Sequence, residues 1–66
     1  MKNRIKLLRV ERDLSQAQLA DELGIARQTV VALEAGKYAP SLPLAFRISK
    51  LFARPVEDIF DAESTD

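Results

Sequence analysis

The absence of cysteine and histidine is the strongest constraint on how this 66-residue chain can fold. A chain this short buries only about 60% of its unfolded surface, and disulfides or bound metals often supply the missing stability. Without cysteine and histidine, the chain cannot form disulfides, zinc fingers or nucleophiles activated by histidine. We therefore expect a single domain that is stabilised by an apolar core or by a second subunit.

The hydropathy of the chain is typical of a globular protein, with 47% hydrophobic and 30% charged residues. Its longest stretch without a polar residue is residues 42–46, whereas a segment that crosses a membrane needs roughly 18 apolar residues in a row. No segment resembles the apolar part of a signal peptide. We therefore expect a cytoplasmic protein that makes no contact with a membrane.

Acidic and basic residues are equal in number but unevenly distributed. Residues 1–54 contain ten bases and five acids, and the other five acids all lie in residues 57–66. A basic body is what a protein that binds nucleic acid requires. We expect residues 1–60 to form the domain, and we interpret residues 61–66 as an acidic tail that frays and aids solubility. The alternative is that this tail competes with a polyanion for binding to the basic body.

The spacing of apolar residues predicts α-helices only, and capping residues mark where the helices begin and end. Ser15 and Gln18 have the spacing of a capping box at the start of the second helix. Gly24 and Gly36 suit the left-handed backbone that ends a helix, and Asp13 tolerates the same conformation after the first helix. We therefore predict an all-α fold with five helices over residues 3–13, 16–23, 27–35, 42–52 and 55–60.

A turn of only three residues joins the second and third predicted helices, which is the geometry of a helix-turn-helix unit. The third helix has an inner side, with Val30 and Leu33, and an outer side that could enter a major groove. On that outer side Gln28 can form a bidentate pair with adenine, and Arg27 can reach guanine or a phosphate. Helical hairpins also occur in plain bundles, where both side chains would only be solvated. The candidate base-reading residues are Arg27, Gln28, Val31 and Ala32.

Short motifs at fixed spacing extend over most of the chain. They are Leu14-Ser15-Gln16, Leu19-Ala20, Leu23-Gly24, Arg27-Gln28-Thr29-Val30, Glu34, Gly36-Lys37-Tyr38 and Pro40-Ser41-Leu42. In these residues the chain resembles the phage-repressor-like helix-turn-helix regulators often called the Xre family, in a short stand-alone form, over residues 3–60. The resemblance implies a compact, lambda-repressor-like domain of five helices from a bacterium, an archaeon or a phage. It also implies that the third helix reads bases of double-stranded DNA.

The resemblance implies a role for each matched residue of the interface. In the family, the glutamine matched by Gln16 bonds a phosphate from the start of the second helix. The positions that face base edges are those matched by Arg27, Gln28 and Ala32. The positions that lie near the sugar-phosphate backbone are those matched by Thr29, Lys37 and Tyr38.

Four positions depart from the usual family pattern. Ala26 stands where Ser or Thr is common, so the third helix begins without a side-chain cap. Ala53 stands in place of glycine and Arg54 in place of an aliphatic residue, which leaves open where the fourth helix ends and the fifth begins. Val31 replaces a position that is often polar, which predicts a more apolar base-facing surface.

Arg9 and Glu34 match a further pattern of the family, which often pairs an arginine of the first helix with a glutamate near the end of the third. We predict that they form an ion pair that braces the recognition helix. A partly buried, bidentate pair would contribute more than a surface ion pair, which is worth roughly 0 to 1 kcal/mol.

The chain has more large apolar residues than the core of a single small domain requires. About half of the residues in question should be core or scattered surface residues. They are Leu7, Val10, Leu42, Phe46 and Phe60. A contiguous patch among them would be the dimer interface. We predict Phe46 and Phe60 as its contacts.

These observations predict a sequence-specific transcriptional regulator, most simply a repressor that binds a two-fold symmetric operator as a homodimer. We expect no sensory domain after residue 66, and therefore regulation through abundance, proteolysis or a partner protein. We expect no cofactor, no metal and no enzymatic activity, because the chain has neither His nor Cys nor a phosphate-cradling loop. The alternative is a protein-binding module, antitoxin-like or anti-repressor-like, that uses Phe46, Phe60 and the acidic tail.

Overall fold

Five α-helices make up the fold of residues 1–61, the part of the chain that the computed structural model describes. They are α1 (Ile5–Glu11), α2 (Gln16–Leu23), α3 (Arg27–Glu34), α4 (Leu42–Phe52) and α5 (Val56–Ile59). The predicted all-α fold with five helices is thus confirmed. None of these helices is long and apolar enough to cross a membrane. The predicted acidic tail falls mainly on residues 62–66, which lie outside the described residues.

The first helix begins later than predicted, at Ile5 rather than at Asn3. Asn3 stays outside α1 because its Oδ1 accepts the amide of Ile5 (3.1 Å) while its Nδ2 donates to the carbonyl of Leu33 (2.7 Å). The backbone before α1 runs antiparallel to the segment after α5, and the amide of Arg4 donates to the carbonyl of Ile59 (2.8 Å). The start of the chain is therefore tied both to the end of α3 and to the end of α5.

All five helices contribute to one apolar core. Because the sequence contains no cysteine or histidine that could staple the fold, burial of these side chains is its main source of stability, at about 1.5–3 kcal/mol for each large one. The buried residues are Ile5, Leu8, Leu19, Ala20, Leu23, Val30, Leu33, Leu44, Ala45, Ile48, Phe52, Ile59 and Phe60.

Phe60 belongs to this core and is only 5% exposed. Its amide donates to the carbonyl of Val56 (2.9 Å) and its backbone bridges to Asn3, so the chain that follows α5 points the ring inward. This placement leaves Phe60 little surface of its own, although it lines an apolar groove beside Leu42, so its role as a dimer contact stays a prediction. Phe46 on α4, the other expected contact, is 55% exposed.

Helices α1 to α4 are each followed by a residue with a left-handed backbone. Gly24 and Gly36 have φ angles of +70° and +73°, and Asp13 and Ala53 have φ angles of +57° and +55°. In each case the amide of the next residue donates to a carbonyl in the last turn, which satisfies a group that the helix itself leaves unpaired. The left-handed backbone predicted at Asp13, Gly24 and Gly36 is confirmed, although α1 ends two residues and α3 one residue earlier than predicted. The open junction is resolved because Ala53 takes the place of a capping glycine.

We expect Ala53→Gly to raise the free energy of unfolding by about 1 kcal/mol. A left-handed backbone costs a residue with a Cβ roughly 1–2 kcal/mol, and the greater freedom of glycine in the unfolded chain offsets part of this gain. Urea unfolding followed by circular dichroism measures the change. Ala17→Gly is the matched control, because Ala17 is exposed in the first turn of α2 and its substitution should destabilise the fold by up to about 1 kcal/mol. A less stable Ala53→Gly variant would contradict this account of the cap.

Candidate nucleic-acid interface

The start of α2 is held by a reciprocal pair of hydrogen bonds. The Oγ of Ser15 accepts the amide of Gln18 (3.0 Å), and the Oε1 of Gln18 accepts the amide of Ser15 (2.8 Å). The predicted capping box is therefore confirmed. It fixes the first turn of α2, where Gln16 is the first helical residue.

The turn between α2 and α3 sets the direction of the third helix. The amide of Ile25 donates to the carbonyl of Ala20 (3.0 Å), and the half-buried Ile25 packs against the core. Ala26 occupies the N-cap of α3 with an extended backbone and, as expected, no side-chain hydrogen bond. Because local capping is absent, α3 depends on burial of Val30 and Leu33 and on its packing against α2, the most extensive contact between helices in the fold.

The outer face of α3 carries the candidate base-reading residues. Successive residues turn about 100° around a helix axis, so Gln28, Val31 and Ala32 lie on the half of α3 that is opposite Val30 and Leu33, and Arg27 lies at the edge of that half. Three of these four residues are exposed and Ala32 is half-buried. Arg27 is the one charged residue of this face, and it lies at the start of the helix. The remainder presents an amide from Gln28 and methyl groups, which are groups that can contact base edges.

Ala35 also belongs to this face, although the sequence analysis did not include it. It follows Val31 by four residues and is exposed at the C-cap of α3. The same helical spacing that selected Val31 could have selected Ala35. Its small side chain keeps the end of the face open to close approach.

The candidate backbone-contacting residues lie around this face. Lys37 and Tyr38 are exposed in the loop after α3, where the amide of Lys37 is fixed by the carbonyl of Ala32 (3.1 Å). Thr29 is half-buried at the edge of the outer face. Gln16 is half-buried, and its Nε2 donates to Oε1 of Glu34 (3.2 Å), so the start of α2 lies next to the end of α3. The described contacts therefore connect Gln16 directly with the end of α3.

An ion pair joins Arg9 of α1 to Glu34 of α3. The Nε of Arg9 lies 2.6 Å from Oε2 of Glu34, and its Nη2 lies 3.3 Å from Oε1. The two side chains are only 11% and 5% exposed. Arg9 Nη1 also donates to the carbonyl of Leu14 (2.8 Å). This bidentate geometry connects α1, the turn before α2 and the end of α3 through one guanidinium group.

Two contacts that hold the end of α3 were not foreseen from the sequence. The amino group of Met1 donates to the carbonyl of Gly36 (2.7 Å), and the side-chain amide of Asn3 donates to the carbonyl of Leu33 (2.7 Å). A Cβ at Gly36 would lie 3.1 Å from the carbonyl oxygen of Met1. The only available signal was Asn3 itself, since asparagine favours positions just before a helix.

Arg12, which follows α1, connects that helix to the end of α4 through hydrogen bonds from its side chain to backbone carbonyls. Its guanidinium donates to the carbonyls of Leu51 (2.8 Å) and Phe52 (3.1 Å), and it lies 5.4 Å from the centre of the Phe52 ring. Arg12 therefore satisfies carbonyl groups that the end of a helix leaves unpaired. Among residues 1–61, no group of acidic side chains comes together in a way that could hold a metal ion.

Two short helices joined by a tight turn, with an exposed face on the second, form the helix-turn-helix arrangement. A helix-turn-helix family model matches residues 5–59, from the start of α1 to the end of α5. The chain belongs to the Xre-type helix-turn-helix family, whose members are DNA-binding transcriptional regulators and not enzymes.

Two relatives and one solved structure resemble the chain over most of its length. An HTH-type transcriptional regulator of Methanocaldococcus jannaschii is 50% identical over 66 residues, which is the full length of both chains. The transcriptional repressor RstR of the cryptic phage CTXphi of Vibrio cholerae is 31% identical over 64 residues, which cover 97% of this chain and 58% of RstR. A crystal structure of a Bacteroides fragilis protein matches with a TM-score of 0.75 at 24% identity, over 88% of this chain and 94% of that protein, and supports the fold.

Proposed function

We propose that the chain is a sequence-specific repressor that binds a two-fold symmetric operator as a homodimer. The observation that carries this proposal is the exposed face of α3, where Gln28 and Val31 point away from the buried Val30 and Leu33. A helix anchored in this way can lie in a major groove while α2 crosses the sugar-phosphate backbone.

The roles at this interface divide between base reading and backbone contact. The base-reading residues are Arg27, Gln28, Val31 and Ala32. The backbone-contacting residues are Gln16, Thr29, Lys37 and Tyr38. The excess of bases over acids in residues 1–54 favours approach to a polyanion.

Repression is the simplest consequence of binding to an operator, since a bound protein can exclude other proteins from the same DNA. The similarity of nearly the whole chain to a phage repressor supports this choice over activation.

Selection of bound fragments from random duplexes by the purified protein tests the proposed function. We expect an enriched site made of two inverted half-sites about 34 Å, or one helical turn, apart. Enrichment of a single, unrepeated half-site would contradict the homodimer, and failure to enrich any sequence would contradict sequence-specific binding.

The exposed side of α4 is the proposed dimer surface. Leu42 and Phe46 lie one helical turn apart and are 65% and 55% exposed. Leu42 also lines an apolar groove, together with Ala45, Val56 and Phe60. A patch of this kind is typical of a surface that another protein covers. The sequence analysis selected Phe46 but not Leu42 as a contact, although their spacing of four residues places them on the same side of a helix.

We expect Phe46→Ser to convert the dimer to a monomer, because it removes the largest apolar side chain of this patch. Sedimentation equilibrium over a range of protein concentrations measures the change. Leu7→Ser is the matched control, since Leu7 is a comparably exposed apolar residue on α1 and its substitution should leave the dimer intact. An unaltered protein that is monomeric both free at high concentration and on its operator would refute dimerisation.

The exposure of Leu7 and Val10 on α1, in addition to Phe46 on α4, supports a second candidate function. It is a protein-binding module of the antitoxin or anti-repressor kind, for which apolar surface would bind a partner protein. Purified protein that shifts no DNA at low salt would favour this second function over the first.

A further inference from the structure

The carboxylate of Glu34 connects the structural ion pair to a residue of the proposed DNA interface. Its Oε2 accepts from Arg9 Nε, and its Oε1 accepts from both Arg9 Nη2 (3.3 Å) and Gln16 Nε2 (3.2 Å). Gln16 is the side chain that the proposed function assigns to a DNA phosphate. The same amide would therefore have a carboxylate of the protein on one side and a phosphate of the DNA on the other.

Hydrogen-bond chemistry determines which end of the Gln16 amide faces Glu34. An ionised carboxylate only accepts hydrogen bonds, so it binds the NH₂ end of the amide and repels the carbonyl end. A phosphate oxygen has the same preference. Because the NH₂ group has two N–H donors, one can stay on Glu34 while the other is offered to DNA.

Arg9 removes the electrostatic obstacle to this arrangement. A free carboxylate close to DNA would repel the phosphates, but the guanidinium of Arg9 binds Glu34 at two points and neutralises its charge. Both side chains are largely buried, so solvent screens their attraction only weakly. The bond from Arg9 to the carbonyl of Leu14 holds the guanidinium itself in place.

We propose that Glu34 is a positioning residue for DNA binding, which holds the NH₂ group of Gln16 in the orientation that a phosphate accepts. The inference rests on the proposed function, because it needs DNA beside the start of α2. The Gln16 side chain then gives up its rotational freedom when the protein folds and not when it binds DNA, which strengthens binding. Glu34 itself contacts no DNA in this arrangement and acts through Gln16.

The test is a double-mutant cycle in DNA binding between Gln16→Met and the paired substitution Arg9→Met with Glu34→Met. Methionine at position 16 has a similar length but donates no hydrogen bond. The paired substitution removes the acceptor together with its counter-charge, so the fold should be retained, since apolar residues can replace a buried ion pair at little cost. Circular dichroism checks folding. Fluorescence anisotropy with a duplex that the unaltered protein binds at low salt gives the four dissociation constants.

We expect Gln16→Met to weaken binding about tenfold or more, as for removal of a hydrogen bond to a charged group. The paired substitution should weaken binding about 3- to 10-fold when Gln16 is present and should have no effect when Met replaces it. Additive effects, or a Gln16→Met variant that binds as tightly as the unaltered protein, would overturn the inference. Ile48→Val, a mild truncation of the core in α4, is the control for reduced stability and should leave binding unchanged.

A second readout identifies the phosphate that Gln16 contacts. A purely structural role of Glu34 would not change this readout. Neutral methylphosphonates replace single phosphates in turn along the duplex. At the phosphate that Gln16 contacts, the replacement should weaken binding of the unaltered protein most, that of the paired variant less, and that of Gln16→Met not at all. Equal sensitivity of all three proteins at every phosphate would overturn the inference. An unaltered protein that binds no duplex at low salt would instead refute the proposed function, and this inference with it.

Discussion

Replacing Glu34 with methionine should lower the free energy of unfolding by about 3 kcal/mol, and replacing Arg9 with methionine should lower it by a similar amount. Each change leaves one charged partner of a largely buried pair without its counter-charge. The remaining contacts do not compensate, because Arg9 keeps the carbonyl of Leu14 and Glu34 keeps the amide of Gln16, and both partners are neutral. For a small domain with a total stability of about 5 kcal/mol, such a decrease would leave a substantial fraction of the molecules unfolded on mild heating.

The double substitution should be less destabilising than the sum of the two single ones, because it leaves no buried charge unpaired. Urea unfolding followed by circular dichroism measures all four proteins, and equal denaturant slopes show that they unfold to a similar extent. The exposed residues Arg47 and Glu22 provide controls, since their single substitution by methionine should change stability by no more than about 0.5 kcal/mol. Strict additivity of the changes at Arg9 and Glu34 would show that the pair contributes no interaction energy.

The helices could be predicted from the sequence because local interactions determine where they begin and end. Ser15 and Gln18 are close neighbours in the chain, and so are the residues that hold the left-handed caps at Asp13 and Gly24. A pattern of a few residues therefore contains nearly all the information that these ends require.

The segment before α1 could not be predicted in this way, because its partners are distant in the sequence. Asn3 bonds Leu33 of α3, and the antiparallel bridge joins Asn3 to Phe60. The inward orientation of the Phe60 ring could not be predicted either. Helix α5 has only four residues, which is too short for hydrophobic periodicity to show which side is buried.

The candidate interface also has one part that the sequence predicts, the outer face of α3, and one part that depends on distant contacts. The period of the α-helix alone places Gln28 opposite Val30 and Val31 opposite Leu33, so the outer face of α3 followed from the sequence. The contact between Gln16 and Glu34 did not follow from it, because it depends on where the start of α2 meets the end of α3. The packing of the whole core sets that position, and no short motif records it.

Gln28→Ala should weaken binding to the operator about 5- to 150-fold and should relax base preference at one position in each half-site. A bidentate pair between glutamine and adenine discriminates against a wrong base by about 1–3 kcal/mol, and alanine cannot form it. Binding to a scrambled duplex should change little, and the dependence of operator binding on salt should also change little, because Gln28 carries no charge.

Lys37→Ala is the matched variant, because Lys37 is exposed in the loop after α3, where a cation can meet a phosphate but not a base edge. It should weaken binding to operator and scrambled DNA alike, and lower the slope of log affinity against log salt by about one for each phosphate that the lysine neutralises. Binding isotherms of both variants on both duplexes, at several salt concentrations, separate the two roles. If Gln28→Ala lowers binding to both duplexes equally, Gln28 contributes to positioning, and α3 loses its main support as the helix that reads bases.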